Sequence, residues 1–401
     1  VHPTTGRVQA VSVNYLRTEW HVIDADIAVD VQRLKDLGPG EFVVNTRSLD
    51  DQVWVVAYSA AQAPLVYYRY HRPTGELTEL FSGRPALEGA PLVEMRPVPI
   101  SSRDGQELVS YLSVPHGVHL DEHTRADRPV PMVLLVHGGP WARDEYGYDA
   151  MAQWLANRGY AVLQVNYRGS TGFGKAFTNS GDRQWGAAMH DDLIDAVQWA
   201  VDQGITTADR VGIMGGSYGG YATLAGLTFT PETFACGVDV VGPSNLNTLL
   251  ETIPPYWAAM FEQLARRVGD PRTEEGRALL TERSPLTHAE RIIRPLLIGQ
   301  GANDPRVKQA ESDQIVAQMS EKGIPVTYVL FPDEGHGFAR PENAKVFNAI
   351  AEGFLAEHLG GRAEPLQPAG LQDSSITVPH GSQGVAGLAE ALADHEPVFR
   401  A

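Results

Sequence analysis

A single cysteine, Cys236, stands in 401 residues, so no intramolecular disulfide can hold this chain together. Cysteine-poor proteins occur in oxidising compartments too, which leaves the redox compartment open. Long apolar runs are also missing: the longest clear one, 53–58, falls far short of the roughly 18 residues that a membrane-spanning helix needs. No charged-then-apolar leader opens the chain, and residue 1 is Val rather than Met, so a processed, trimmed or partial chain is an expected reading. A cytoplasmic location and, with a leader removed, a periplasmic or secreted one both stay open. Basic residues are the third shortage. With 32 Lys+Arg against 49 Asp+Glu the formal net charge is −17, a field that repels phosphate backbones and anionic lipid. Nucleic acid and membrane are therefore not expected as partners.

What is present is ordinary globular material. Hydrophobic residues make up 43% and charged ones 20%, which excludes disordered, collagen-like and coiled-coil classes for most of the chain. At roughly 150 residues per domain, the length predicts two or three domains, or one large α/β unit with attachments. Residues 1–95 read as β-rich. Val53, Val55 and Ala57 alternate against Trp54, Val56 and Tyr58 at the two-residue period of a strand, and 65–71 and 76–81 flank a Pro-Thr-Gly turn as a hairpin. A short helix is predicted over 26–37.

From about residue 98 the pattern becomes short apolar strands alternating with amphipathic helices, the signature of a mostly parallel sheet covered on both faces. Strands are predicted at 131–137, 161–166, 210–215, 234–241, 295–300 and 326–331. A last helix is predicted after Pro341, and residues 96–361 form this α/β unit. Residues 362–401 mix Pro, Gly and Ser, and read as a flexible tail.

Gly215-Gly216-Ser217-Tyr218-Gly219 follows a predicted strand and precedes a predicted helix, as the G-x-S-x-G nucleophile elbow requires. A serine hydroxyl needs a base to take its proton, and a histidine in that role needs a carboxylate to fix its tautomer. His336, between two glycines, lies just beyond the strand at 326–331, and Asp304 lies just beyond the one at 295–300. The order Ser, Asp, His is the order this fold uses. Asp333 and Glu334 compete with Asp304 but are too close in sequence to His336 to orient it comfortably. His137-Gly138-Gly139-Pro140 ends the first central strand, where the fold supplies its second oxyanion donor. The N–H groups of Gly139 and Tyr218 are assigned to the oxyanion hole.

Two further motifs are discounted. Gly169 to Lys175 fits the G-x-x-x-x-G-K of a phosphate-binding loop, but Ala176 replaces the hydroxyl residue that would hold Mg²⁺. Its glycines are expected to shape a loop beside the active site. His116, His119 and His123, with Asp121 and Glu122, fall in a loop rather than on a fixed helix face, and no metal is assigned to them. Cys236 sits in an apolar strand and receives no role.

Taken together, His137 to Trp141, Asn166 to Ser170, Gly215 to Gly220, Asn303 to Val307 and Glu334 to Gly337 resemble the prolyl oligopeptidase family of serine peptidases, in particular its acylaminoacyl-peptidase and dipeptidyl-peptidase-like branches. The resemblance covers roughly residues 90–360. It implies an α/β-hydrolase domain after a β-propeller, of which 1–95 resembles only the last strands. Prolyl oligopeptidases and dipeptidyl peptidases place an oxyanion tyrosine where this chain has His137. The acylaminoacyl type uses the HGGP backbone, which this chain resembles, leaving Tyr167 a structural or pocket residue. The same resemblance makes Arg306 a substrate-carbonyl ligand. The run 246–257, rich in Leu, Pro, Tyr and Trp, is expected at the substrate pocket, and Tyr167, Trp257 and Val307 are counted among the candidate substrate-binding residues.

The expectation is a serine hydrolase with Ser217 as nucleophile, His336 as base and Asp304 as its orienting acid, cleaving short peptides without metal or cofactor, and losing activity in acid as the base is protonated. A carboxylesterase using the same triad is the alternative, and a non-catalytic scaffold is the rival of another class. Besides a short peptide, further copies of this chain are left open as partners.

Overall fold

The computed structural model describes residues 1–38, 40–253 and 255–399. Among the described residues fifteen strands run in chain order: β1 Ala10–Asn14, β2 Thr18–Val22, β3 Glu41–Arg47, β4 Val53–Ala60, β5 Ala63–His71, β6 Glu76–Ser82, β7 Met95–Ser101, β8 Glu107–Ser113, β9 Met132–Val136, β10 Ala161–Val165, β11 Val211–Gly216, β12 Cys236–Val240, β13 Leu296–Gly301, β14 Val326–Phe331 and β15 Thr377–His380. β1 and β2 form a hairpin, and β3 to β6 form a four-stranded antiparallel sheet in sequential order, the make-up of one propeller blade. The β4 alternation turns Trp54, Val56 and Tyr58 onto the helix Ala28–Leu37, where Val31 and Leu34 meet them. Burying Trp54 or Tyr58 contributes roughly 2–3 kcal/mol each.

The remaining nine strands make one sheet in the order β15-β14-β13-β12-β11-β9-β10-β8-β7. The run from β14 to β10 is parallel, whereas β8, β7 and β15 are antiparallel additions at the two ends. Its central strands are mostly apolar because both faces are covered, with Gln164, Asp239 and Gln300 as buried polar exceptions. The helices Ala188–Asp202, Tyr218–Phe229 and Gln309–Glu321 pack on one face, and Ala150–Asn157 and Pro341–Leu359 on the other. Among the described residues no helix is long and apolar enough to cross a membrane.

The predicted tail is a correction. Within 362–401, β15 pairs antiparallel with β14, a short helix forms at Leu388–Leu392, and Leu371, Ile376, Val385 and Leu388 are buried against Pro341–Leu359 and the sheet. These elements are too short to leave a periodic trace. Arg400 and Ala401 lie outside the described residues.

Candidate active site

Ser217 sits between the end of β11 and the helix Tyr218–Phe229, with φ 58° and ψ −116°. A side chain in that region is strained, at a cost of roughly 1–3 kcal/mol, and the surroundings must hold it there. Its N–H donates to Val240 O at 2.8 Å, and its carbonyl accepts from Tyr221 N at 3.0 Å. The serine itself carries the positive φ, and the flanking glycines permit close approach: a Cβ on Gly215 would lie 2.6 Å from Val136 O, and one on Gly219 would overlap the same oxygen. The elbow is pressed against the end of β9.

His336 Nε2 is 2.9 Å from Ser217 Oγ, and its Nδ1 is 2.7 Å from Asp304 Oδ2. A carboxylate only accepts, so the imidazole proton lies on Nδ1 and Nε2 is left to receive the serine proton. The His336 side chain is 14% exposed and that of Asp304 0%, which puts the carboxylate behind the ring, away from water. Asp304 follows β13, and its Oδ1 accepts from the N–H groups of Arg306 at 2.8 Å and Val307 at 2.9 Å. One loop thereby sets both the carboxylate and the next two side chains.

The His336 loop has its own anchor. Buried Glu334 accepts from Ala339 N at 2.9 Å, Arg340 N at 2.9 Å and Asn343 Nδ2 at 2.8 Å, at the start of the helix Pro341–Leu359. Asp333 pairs with Arg340. Both acids are thus engaged on the helix side of the loop.

The loop after β9 runs beside the elbow, with the position of a Cβ on Gly138 2.9 Å from Gly216 O and 3.5 Å from Ser217 Cβ. This puts Gly139 on the serine's flank, while Tyr218 is the first residue of the helix, where N–H groups lack intrahelical acceptors. His137 stacks on Tyr167 at 4.5 Å, with Nδ1 2.8 Å from Gly138 O and Nε2 3.0 Å from Ser170 Oγ. Burial lowers the His137 pKa to about 4, so this second histidine is neutral at pH 7.

Of the two roles left open for Tyr167, structural or in the pocket, the pocket one is corrected: the residue lies beneath the cavity. It is 0% exposed, its hydroxyl donates to His137 O at 2.8 Å, and its ring lies 5.1 Å from that of Tyr218. The rest of that motif is structural as well. Asn166 Nδ2 donates to Val109 O at 2.9 Å, and Arg168 is held by Asp192 and Asp104.

In front of the triad lies a cavity of about 160 Å³ onto which Ser217, His336, Gly139 and Tyr218 all open. Its other walls are apolar: Trp185, Leu249, Ile253, Trp257, Leu264 and Val307. Arg306 stands at its side with the guanidinium carbon 5.3 Å from the Trp257 ring centroid, and it forms no ion pair among the described residues. Leu249, Ile253 and Trp257 fall in the run expected for the pocket; Pro254 of that run lies outside the described residues. The sequence reading missed Trp185 and Leu264, which come from segments with no motif. It also missed Glu311, buried, which accepts from Ser244 N at 3.0 Å and Asn245 N at 2.8 Å and so fixes the start of the pocket wall. A larger hollow, about 670 Å³, lies beside β14 and contains Ser320 and His380. There Ser320 Oγ donates to Val316 O at 2.7 Å, which occupies the proton a nucleophile would have to give up.

Comparison with known proteins places these features among relatives. The family model described as the prolyl oligopeptidase family matches residues 146–362. Dipeptidyl aminopeptidase BIII of Pseudoxanthomonas mexicana is 70% identical over 393 residues, 98% of this chain and 57% of that protein. Dipeptidyl peptidase family member 6 of Caenorhabditis elegans is 46% identical over 96% of this chain and 54% of its own length. Among solved structures, a puromycin-hydrolyzing peptidase of Mycobacterium tuberculosis superposes with a TM-score of 0.69 at 30% identity, covering 79% of this chain and 48% of that one. The chain spans a little over half the length of the curated relatives it matches.

Proposed function

Because the chain belongs to the prolyl oligopeptidase family, with its α/β-hydrolase fold, we propose that it is a serine peptidase that cleaves short peptides through an acyl-enzyme. The observation that carries this is the continuous relay from Ser217 Oγ to His336 at 2.9 Å and on to Asp304 at 2.7 Å, opening on an apolar cavity. In the proposed cycle Ser217 Oγ attacks the peptide carbonyl carbon while His336 Nε2 takes its proton, and Asp304 stabilises the imidazolium. The N–H groups of Gly139 and Tyr218 receive the oxyanion. As the intermediate collapses, His336 returns the proton to the leaving amine. Water then attacks the acyl-serine by the same route, with His336 again taking a proton, and releases the carboxylic acid. Each step is acid–base and nucleophilic chemistry, and the scheme calls for no metal or cofactor.

The apolar walls of the cavity favour an apolar side chain on the residue that supplies the carbonyl. Arg306, free of a carboxylate partner among the described residues, is the proposed ligand for a neighbouring substrate carbonyl. The names of the two curated relatives support dipeptide release from a free amino terminus. The test is kcat/KM on a dipeptidyl anilide with a free amine, on its N-acylated counterpart and on a matched nitrophenyl ester, with Ser217→Ala as control. Amide turnover that disappears in Ser217→Ala supports the peptidase, and preference for the free amine supports dipeptide release. Ester turnover alone moves the reading to a carboxylesterase.

A further inference from the structure

Among the side chains that fasten the loop bringing Gly139 to Ser217, with His137, Tyr167 and Asn166, is Arg143, whose contacts the reaction scheme leaves unused. Its side chain is only 9% exposed. Nη1 donates to Asn14 O at 2.7 Å and Nη2 to Tyr15 O at 2.9 Å, which ties the guanidinium to the turn between β1 and β2. Nε donates to Asp144 O at 3.1 Å, and the guanidinium carbon stands 4.3 Å from the Phe173 ring centroid. The glycine-rich run that imitates a phosphate loop makes room for it: a Cβ on Gly172 would lie 2.7 Å from Nη1. From the same run Thr171 N–H donates to Ala142 O at 2.9 Å.

Little slack separates Arg143 from Gly139. Ala142 N donates to Pro140 O at 2.9 Å, and the position of a Cβ on Gly139 lies 2.7 Å from Trp141 N, so the intervening chain is folded tightly on itself. A shift of Arg143 is passed to Gly139. A planar fork can hold two successive carbonyls at once, which an ammonium cannot do in the same geometry.

We propose that Arg143 is a positioning residue for the oxyanion hole: by bolting its loop to Asn14 and Tyr15 it sets the Gly139 N–H against Ser217, and it makes the N-terminal hairpin part of the catalytic apparatus. This rests on the serine-hydrolase reading above. It goes beyond that reading in giving the hairpin and the glycine-rich run a share in the rate.

The experiment compares wild type with Arg143→Met, Arg143→Lys and Gly172→Ala, with rates expressed per active site titrated by a fluorophosphonate. In Arg143→Met, kcat per titrated site is expected to fall roughly ten- to a hundredfold with KM within about twofold, since the donor acts on the transition state. Affinity for a peptide boronate, whose tetrahedral adduct uses the oxyanion donors, falls by the same factor. Arg143→Lys recovers part of the loss, and Gly172→Ala, which crowds the guanidinium without removing it, reproduces a smaller share even if Arg143→Met fails to fold. Unchanged kcat per titrated site and unchanged boronate affinity overturn the proposal, as does a rise in KM alone or a loss confined to the number of titratable sites. A wild-type chain inert to the fluorophosphonate overturns the serine-hydrolase reading itself, and the role of Arg143 with it.

Discussion

The backbone N–H of Asn303 donates to the carbonyl of Glu334 at 2.9 Å, joining the loop that carries Asp304 to the loop that carries His336. The two approach so closely that a Cβ on Gly301 would overlap Gly335 O. Orientation of the imidazole is therefore a property of both loops, and Glu334 is its main fastening.

Replacing Glu334 by Ala strips two backbone N–H groups and the Asn343 amide of their buried acceptor, at a cost of roughly 2–4 kcal/mol. Denaturant unfolding is expected to register that loss. The activity that remains should fall at least about tenfold through kcat, because a displaced His336 misses the serine proton. A variant as stable and active as wild type would remove Glu334 from this account.

The strain at Ser217 is open to direct measurement. Both Ser217→Ala and Ser217→Gly remove the proposed nucleophile, but only glycine accepts φ 58° and ψ −116° without a Cβ clash. Ser217→Gly should be more stable than Ser217→Ala by about 1 kcal/mol after its extra chain entropy is deducted. Equal stabilities would mean that the elbow stores no strain.

Glycines around the site are not equivalent. Gly219→Ala meets Val136 O and should cost activity by at least about a hundredfold, because Ser217 and the adjoining N–H must move. Gly335→Ala, next to His336, points a methyl into open space and should keep kcat/KM within about threefold. The reverse ranking, read from steady-state kinetics, would contradict this packing at the elbow.

Asp239 in β12 is buried; its Oδ1 accepts from Gly242 N at 2.9 Å, and its Oδ2 has no hydrogen-bond partner among the described residues. Burial pushes its pKa up to about 7. With the folded value above the unfolded one, near roughly 3.9, the folded state binds the extra proton between them, so this contribution is full below about pH 4 and is lost as pH rises through about 7. Asp239→Asn should flatten that part of the stability profile, gaining on wild type as pH goes from acid to neutral in calorimetric scans. A difference between the two proteins that stays constant with pH would sink the assignment.

The mutual placement of Ser217, Asp304 and His336 was legible because each is announced by local chemistry at a strand end: glycines around Ser217, Asn and Pro around Asp304, two glycines around His336. The strands before them are apolar enough to be read without an alignment, which is also why the sheet was foreseen. Tyr167 stayed undecided in the sequence because an aromatic residue near a site has the same letter whether it lines a cavity or props its wall; the bond from its hydroxyl to His137 O decides. Trp185 and Leu264 were invisible because a cavity wall assembled from distant segments leaves no spacing to detect. The C-terminal segment was hidden by a four-residue strand and a five-residue helix, whose positions are fixed by burial against elements made earlier rather than by their own periodicity.

Prolines stand in both outermost strands of the nine-stranded sheet, Pro97 and Pro99 in β7 and Pro379 in β15. An edge strand usually offers a neighbouring chain a row of free N–H donors, and each proline breaks that row. Each margin of this sheet thus presents an interrupted row to a further strand, which makes the addition of β-structure there costly, whereas the edges of the four-stranded sheet, β3 and β6, carry no proline within the strand.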